Sequence, residues 1–377
     1  MAISKGPLLE ELVRAYFSKQ GFYAIRSVPF SFEGNDVTDI DVWLYSRQTA
    51  SVRIKAIVDV KNKRSPKAYE RILWVKGLQS ILKCDRAIIA TTDENPGLAK
   101  FAHENNISVL SKGFLDRLDK KINVDARLSI EEFNLAIQEN YNHKHDGDWI
   151  KVLSDTKSAL ASLGSFTAFN KAMMAFHFFA DRMEVRSQYS NQLQRCLLSA
   201  ASLACIALDG ALEKLTFQDA VFRFEGVKDG ITYGDSDGKF RQSLELAFRA
   251  ISENVINGKT LASQAKENIN QELSKIRADL IGEYFAREHN AQSLFSAAKE
   301  LDEKAFAKES AAVELSIEAR SILGVFADFV RVKRSILPIG RNLSAASEPA
   351  FEPQKSPETE ATAADERIEK SLQGKLL

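Results

Sequence analysis

Cysteine is scarce: three residues among 377, Cys84, Cys196 and Cys205, at unrelated spacings. That excludes a disulfide framework or a zinc ribbon and suits a reducing cytoplasm. Net charge is absent as well. Fifty-one Lys and Arg balance 51 Asp and Glu, so no whole-chain field draws the protein to nucleic acid. No charged-then-apolar leader opens the sequence. The longest apolar stretch, Leu197–Leu208, is too short to span a bilayer. It reads as a core helix, and no membrane is expected as a partner. No internal repeat, glycine-rich phosphate loop or nucleophile elbow occurs. The segment Gly226–Gly238 carries acids but lacks the spacing and the closing Glu of a calcium loop. It reads as a loop or small hairpin.

What the chain does have is concentrated in its first third. Val37–Tyr45 and Ser51–Lys61 read as strands, in which residues two apart share a face. Along the second, Val52, Ile54, Ala56, Val58 and Val60 make a core face. Arg53, Lys55, Ile57, Asp59 and Lys61 make a polar one. Along the first, Asp39, Asp41, Trp43 and Tyr45 lie together. If the strands pair, Asp41 and Asp59 converge beside Lys61. Two close carboxylates repel, and a divalent cation relieves the repulsion; oxygen ligands favour Mg²⁺ or Mn²⁺ over zinc. The plainer alternative is a salt bridge at a strand end. Trp43 and Tyr45 either stack on bases or pack beneath a helix.

The surrounding elements extend the pattern. Helical spacing covers Pro7–Gln20 and Ala68–Leu82; a third strand fits Arg86–Thr91. A helix at Pro96–Asn105, a strand at Ile107–Leu110 and a helix at Lys112–Lys121 follow. The expected fold is an α/β domain, a mixed central sheet flanked by helices, over residues 1–125. From Arg53 to Arg86 there are ten Lys or Arg against three Asp or Glu. Such a basic band suits a phosphate backbone, with Lys63, Arg64 and Lys67 in the stretch after Asp59-Val-Lys61.

Residues 6–118 resemble the PD-(D/E)xK nuclease superfamily, particularly its Mrr-type restriction endonuclease and Holliday-junction-resolvase-like branches. The resemblance rests on Glu10-Glu-Leu-Val with Gly21-Phe22, on Asp39-Ile-Asp-Val, and on Asp59-Val-Lys61. It continues through Ala87-Ile-Ile-Ala-Thr-Thr92, Ala99, Ala102 and Ile107-Ser-Val-Leu. No Pro precedes the strand aspartate, and Asp rather than Glu stands at 59. The resemblance implies a restriction-endonuclease-like fold and Mg²⁺-dependent hydrolysis of DNA, in restriction, phage defence or repair. Asp41, Asp59 and the Val60 carbonyl would ligate the metal. Lys61 would orient the attacking water, and Glu10 would hold a second metal or its water shell. Gln79 would be an accessory group and Asp39 an outer or solvent-facing acid. Of the adjacent Glu10 and Glu11, at most one can face the site. The competing function is a nuclease fold without turnover that binds nucleic acid or assembles with other chains.

From about Leu128 strand signals fade. Ser129–Asn140, Trp149–Leu163, Ser165–Met183, Ser187–Lys214, Lys239–Asn257, Leu261–Arg287, Ala291–Lys308 and Ser310–Val332 read as helices. They form an all-α region at 126–340 that would recognise a target, a partner protein or a second copy. Leu261, Ala265, Ile269, Leu273, Ile276 and Leu280 make a coiled-coil-like seam. His143 and His145, beside Asp146 and Asp148, are a metal cluster or a polar linker. Residues 341–377 read as a flexible tail, with Asp365–Leu377 able to form a short helix on a partner.

Overall fold

The computed structural model describes residues 5–61, 67–124, 126–139, 143–235, 238–308 and 314–338. Helix α1 (Lys5–Lys19) opens the chain and stops at Gly21, whose φ of +95° suits glycine. Strand β1 (Tyr23–Phe32) has no counterpart in the sequence reading. Its Pro29 argues against a strand. However, β1 is the sheet's edge, where a missing N–H costs no ladder bond. Glu33 and Gly34, at φ +50° and +82°, turn the chain tightly into β2 (Asn35–Arg47), as a type I′ hairpin requires. Then come β3 (Arg53–Lys61), α2 (Ala68–Ile81), β4 (Arg86–Thr91), α3 (Pro96–Glu104), β5 (Ile107–Leu110) and α4 (Lys112–Lys121). Asn95 caps α3 by accepting the Gly97 N–H, with Pro96 in the first turn.

The five strands lie in chain order. The β1–β2 and β2–β3 pairs are antiparallel, β3–β4 and β4–β5 parallel, so the sheet is mixed. On one face α1 and α4 lay Leu9, Val13, Phe17, Leu115 and Leu118 over Val42, Leu44, Ala56, Val58 and Val60. The other face is not the polar surface that alternation suggests. Trp43, Tyr45 and Ile57 are buried there, beneath α2 and the helices that follow. The stacking alternative for Trp43 and Tyr45 is thereby corrected: both rings are core.

The helical region comprises α5 (Ile130–Gln138), α6 (Trp149–Ser162), α7 (Ser165–Val185), α8 (Ser190–Leu212), α9 (Ala220–Tyr233), α10 (Lys239–Asn254), α11 (Gly258–Ser274), α12 (Ala278–Phe285), α13 (Glu288–Phe306) and α14 (Ile317–Phe329). Two expectations change. Gly226–Tyr233 belongs to α9 rather than to a loop. The span 261–287 is two helices, because α12 must turn to bury Ala278, Ile281, Gly282 and Phe285 while α11 stays largely exposed. Of the expected seam, Ala265, Ile269 and Leu273 are half-buried on α11, which packs against α10, whereas Leu261 is exposed and Ile276 and Leu280 lie beyond the helix.

Helix α8 is apolar all round and sits between α7 and α13, as a core helix should. The helical stretch Ser187–Leu215 is long and apolar enough to cross a membrane, but 89% of its most apolar window is buried inside the protein. Its Asp209 is completely buried. It accepts the Tyr45 hydroxyl at 2.5 Å and pairs with Arg53 at 2.6 Å and Arg47 at 2.8 Å, tying α8 to the sheet. One apolar cluster runs from Trp43 and Tyr45 through α8 to Phe169 and Phe326. The compositional change near residue 125 therefore separates two styles of sequence, not two cores. The tail from 341, and the short helix expected at 365–377, lie outside the described residues.

Candidate active site at the end of strand β3

The β2–β3 ladder ends at Val42 opposite Val58. One residue beyond, β2 leaves its neighbour, and the Asp41 carboxylate takes the place of the missing carbonyl. Its Oδ2 accepts the Val60 N–H at 2.6 Å. The same oxygen lies 3.1 Å from Lys61 Nζ, and Lys61 Nζ lies 3.4 Å from Asp59 Oδ1. The sequence brings three charged groups together as alternation and register predict. Asp59 is buried; Asp41 and Lys61 are half-buried at the carboxyl ends of β3 and β4, where open α/β sheets bind ligands. Burial raises the Asp41 pKa, with the Asp59 charge adding to the rise, against the Val60 N–H and Lys61, which lower it.

Glu10 reaches the same neighbourhood from α1. Burial raises its pKa against the Arg26 guanidinium, and the Asp41 charge adds to the rise. Arg26 Nη2 holds Glu10 at 2.8 Å and Glu131 of α5 at 3.1 Å. Arg26 Nη1 lies 3.3 Å from Glu11. Glu11 turns inward, buried and bonded by Arg14 Nε at 2.6 Å. Only Glu10 of the adjacent pair is therefore available to the site.

Arg71, on the first turns of α2, was not foreseen. Its Nε donates to Asp59 Oδ2 at 3.0 Å and its Nη2 to Asp59 Oδ1, so a planar fork grips both oxygens. The guanidinium also lies 4.0 Å over the Trp74 ring. No motif marks Arg71; only its place one helical turn into the element after β3 puts it beside Asp59. Arg26 escaped notice because its strand did.

The other expected residues stand elsewhere. Gln79 is corrected: near the far end of α2, it donates to the Asp85 carbonyl and accepts from Lys76. Asp85 precedes β4, whose Arg86 pairs with Ala56 while Thr91 pairs with Lys61. Gln79 is thus about 17 Å of strand away from the site. Asp39 is exposed and lines a groove with Asp36, Lys151 and Asp155. Lys67 is exposed at the start of α2 and pairs with Glu70 at 3.2 Å. Lys63 and Arg64 lie outside the described residues. The acids near His143 are structural: Asp148 caps α6 through the Lys151 N–H, and Asp146 faces Arg182 at 3.4 Å.

For a hard divalent cation the donor chemistry fits, since Asp41 and Asp59 are oxygen ligands brought together by one ammonium. Among the described residues no three His, Cys, Asp or Glu side chains gather as a ready cage. Lys61 and Arg71 neutralise the carboxylates in this arrangement. Comparison with family models, with curated proteins and with solved structures finds no match.

Proposed function

We propose that the N-terminal sheet carries a Mg²⁺- or Mn²⁺-dependent endonuclease site that hydrolyses phosphodiester bonds of DNA. The observation that carries this reading is Lys61 Nζ within 3.4 Å of both Asp41 and Asp59 where β3 ends. Asp41, Asp59 and the Val60 carbonyl would hold the cation, which supplies a bound water of lowered pKa and a clamp on phosphate oxygens. Lys61 orients the attacking water and offsets charge gathering on the phosphate. Glu10 holds the water shell from the α1 side. Lys67, with Lys63 and Arg64, meets the DNA backbone. A setting in restriction, phage defence or repair rests on the superfamily resemblance alone.

Arg71 favours a second reading, a nuclease-like fold that binds nucleic acid or assembles without cutting. Its fork occupies both Asp59 oxygens, so a cation must displace it.

Nicking of supercoiled plasmid with Mg²⁺ or Mn²⁺, run beside a gel shift, decides between them. A cutting wild type, with Asp59→Ala and Lys61→Ala slowed at least about 10²-fold while still binding DNA, supports the enzyme. Binding without cutting under either ion, in wild type and in Arg71→Ala, favours the module. Cutting by Arg71→Ala alone means that the guanidinium is a lock on a competent site.

A further inference from the structure

Helices α10 and α11 form a hairpin that stands apart from the core. They pack mainly on each other, and no residue of α10 is buried. Leu244, Phe248 and Ile251, three or four residues apart, are the half-buried apolar side chains of α10 and so face α11. On α11 they meet the row Ala262, Ala265, Ile269 and Leu273, of which only Ala262 is buried. Helices this short are marginal in water without a packed face. The base of the arm is fixed to α9 by Arg241, which pairs with Asp229 and lies over Tyr233.

The outward face of α10 has a pattern of its own. At 100° per residue, Lys239, Leu246 and Glu253 fall nearly on one line, seven residues apart. Beside that line run Ser243 and Ala250 on one side and Gln242 and Arg249 on the other, while Phe240 lies round toward α9, its ring against Tyr233. All seven residues of the face are exposed, Leu246 at 65%. Among the described residues neither Lys239 nor Glu253 is used in an ion pair. The line carries a cation at one end, an anion at the other, and a leucine midway. Reversed end for end, it is its own complement. A two-fold axis through Leu246 sets Leu246 on Leu246 of a second copy, Lys239 on its Glu253 and Glu253 on its Lys239. An isologous contact needs that symmetry, and a foreign surface has no reason to match it. The small side chains on one side of Leu246 let the two helices approach along the about 24 Å length of α10.

We propose that this face of α10 is a homodimer interface, in which two α10 helices pack antiparallel with each α11 on the outer side of its own α10. The inference is independent of the nuclease reading.

Sedimentation equilibrium of the full chain tests it. The wild type is a dimer. Leu246→Asp is a monomer of unchanged circular dichroism. Lys239→Glu and Glu253→Lys each weaken the dimer about tenfold, and the double exchange restores it, because each lost pair is re-formed with signs swapped. Crosslinking gives a second reading. Cys84, Cys196 and Cys205 are all buried, so Leu246→Cys provides one accessible thiol on the axis. With diamide as oxidant it forms a covalent dimer rapidly, whereas Ser263→Cys, exposed on the far side of α11, does not. A wild type monomeric at every concentration overturns the proposal. So does a Leu246→Asp dimer, or a double exchange no better than its singles.

Discussion

Lys157 is a buried amine with no carboxylate bonded to it among the described residues. It lies within α6, buried, with its ammonium 3.4 Å from the Arg26 carbonyl, and Arg26, Arg127, Glu131 and Asp302 supply the charges around it. Burial lowers its pKa to about 8. An amine whose folded pKa lies below its unfolded value is held at a cost while both states are protonated. That cost is relieved as pH rises from about 8 toward the unfolded value. The relief is at most about 3 kcal/mol at 1.36 kcal/mol per pKa unit. Lys157→Met removes the cost outright. In urea denaturation, its advantage over wild type is largest at pH 7 and shrinks by about that amount toward pH 10.5. The buried cysteine thiols are pushed up, Cys84 to about 12. They act with opposite sign in the alkaline range, equally in both proteins, so they cancel in the difference. An advantage that does not change with pH would mean that Lys157 is well solvated in the folded protein.

At the scale of elements, α9 shows what glycine spacing can hide. Gly226 and Gly230 look like loop residues when counted, yet they stand four apart, on one face of a helix. A Cβ on Gly226 would meet Leu215 at 2.8 Å, and one on Gly230 would meet the Phe166 ring at 2.3 Å. The glycines are there for close approach. Gly230→Ala therefore lowers stability by about 1–3 kcal/mol despite the better helix propensity of alanine, which a thermal melt reads directly. Next along the chain, Gly234 and Gly238, at φ +73° and +78°, are true turn glycines. The same spacing thus spans two different roles, and only packing separates them. Elsewhere periodicity was sufficient. Arg86–Thr91 and Ile107–Leu110 are strands over the residues that their apolar runs mark. Asp41, Asp59 and Lys61 meet because alternation and an antiparallel register leave few other outcomes. Arg71 and Arg26 could not be read the same way. Their places depend on how α2 and β1 lie across the sheet, which no local pattern encodes.

At the scale of the whole molecule, the sheet is incomplete without the helices that follow. Tyr23, Trp43, Tyr45 and Ile57 belong to the same core as Phe169 and Phe326, and Arg47 and Arg53 have their carboxylate on α8. A fragment of residues 1–125 would expose that apolar face and strand two cations at its margin. Its proton NMR spectrum is expected to be poorly dispersed, with aggregation at working concentration. The full chain is expected to unfold in one transition by circular dichroism and by tryptophan fluorescence, since Trp43 and Trp149 share that core. A folded, soluble fragment would restore the boundary near 125 as a boundary between cores.

The guanidinium of Arg26 is shared between Glu10 of the first helix and Glu131 of the fifth. A carboxylate drawn off one side leaves more of that positive charge to the other. Removing the Glu131 carboxylate, as in Glu131→Gln, would therefore make Glu10 give up its proton more readily, both by freeing Arg26 and by lifting the direct charge of Glu131 on Glu10.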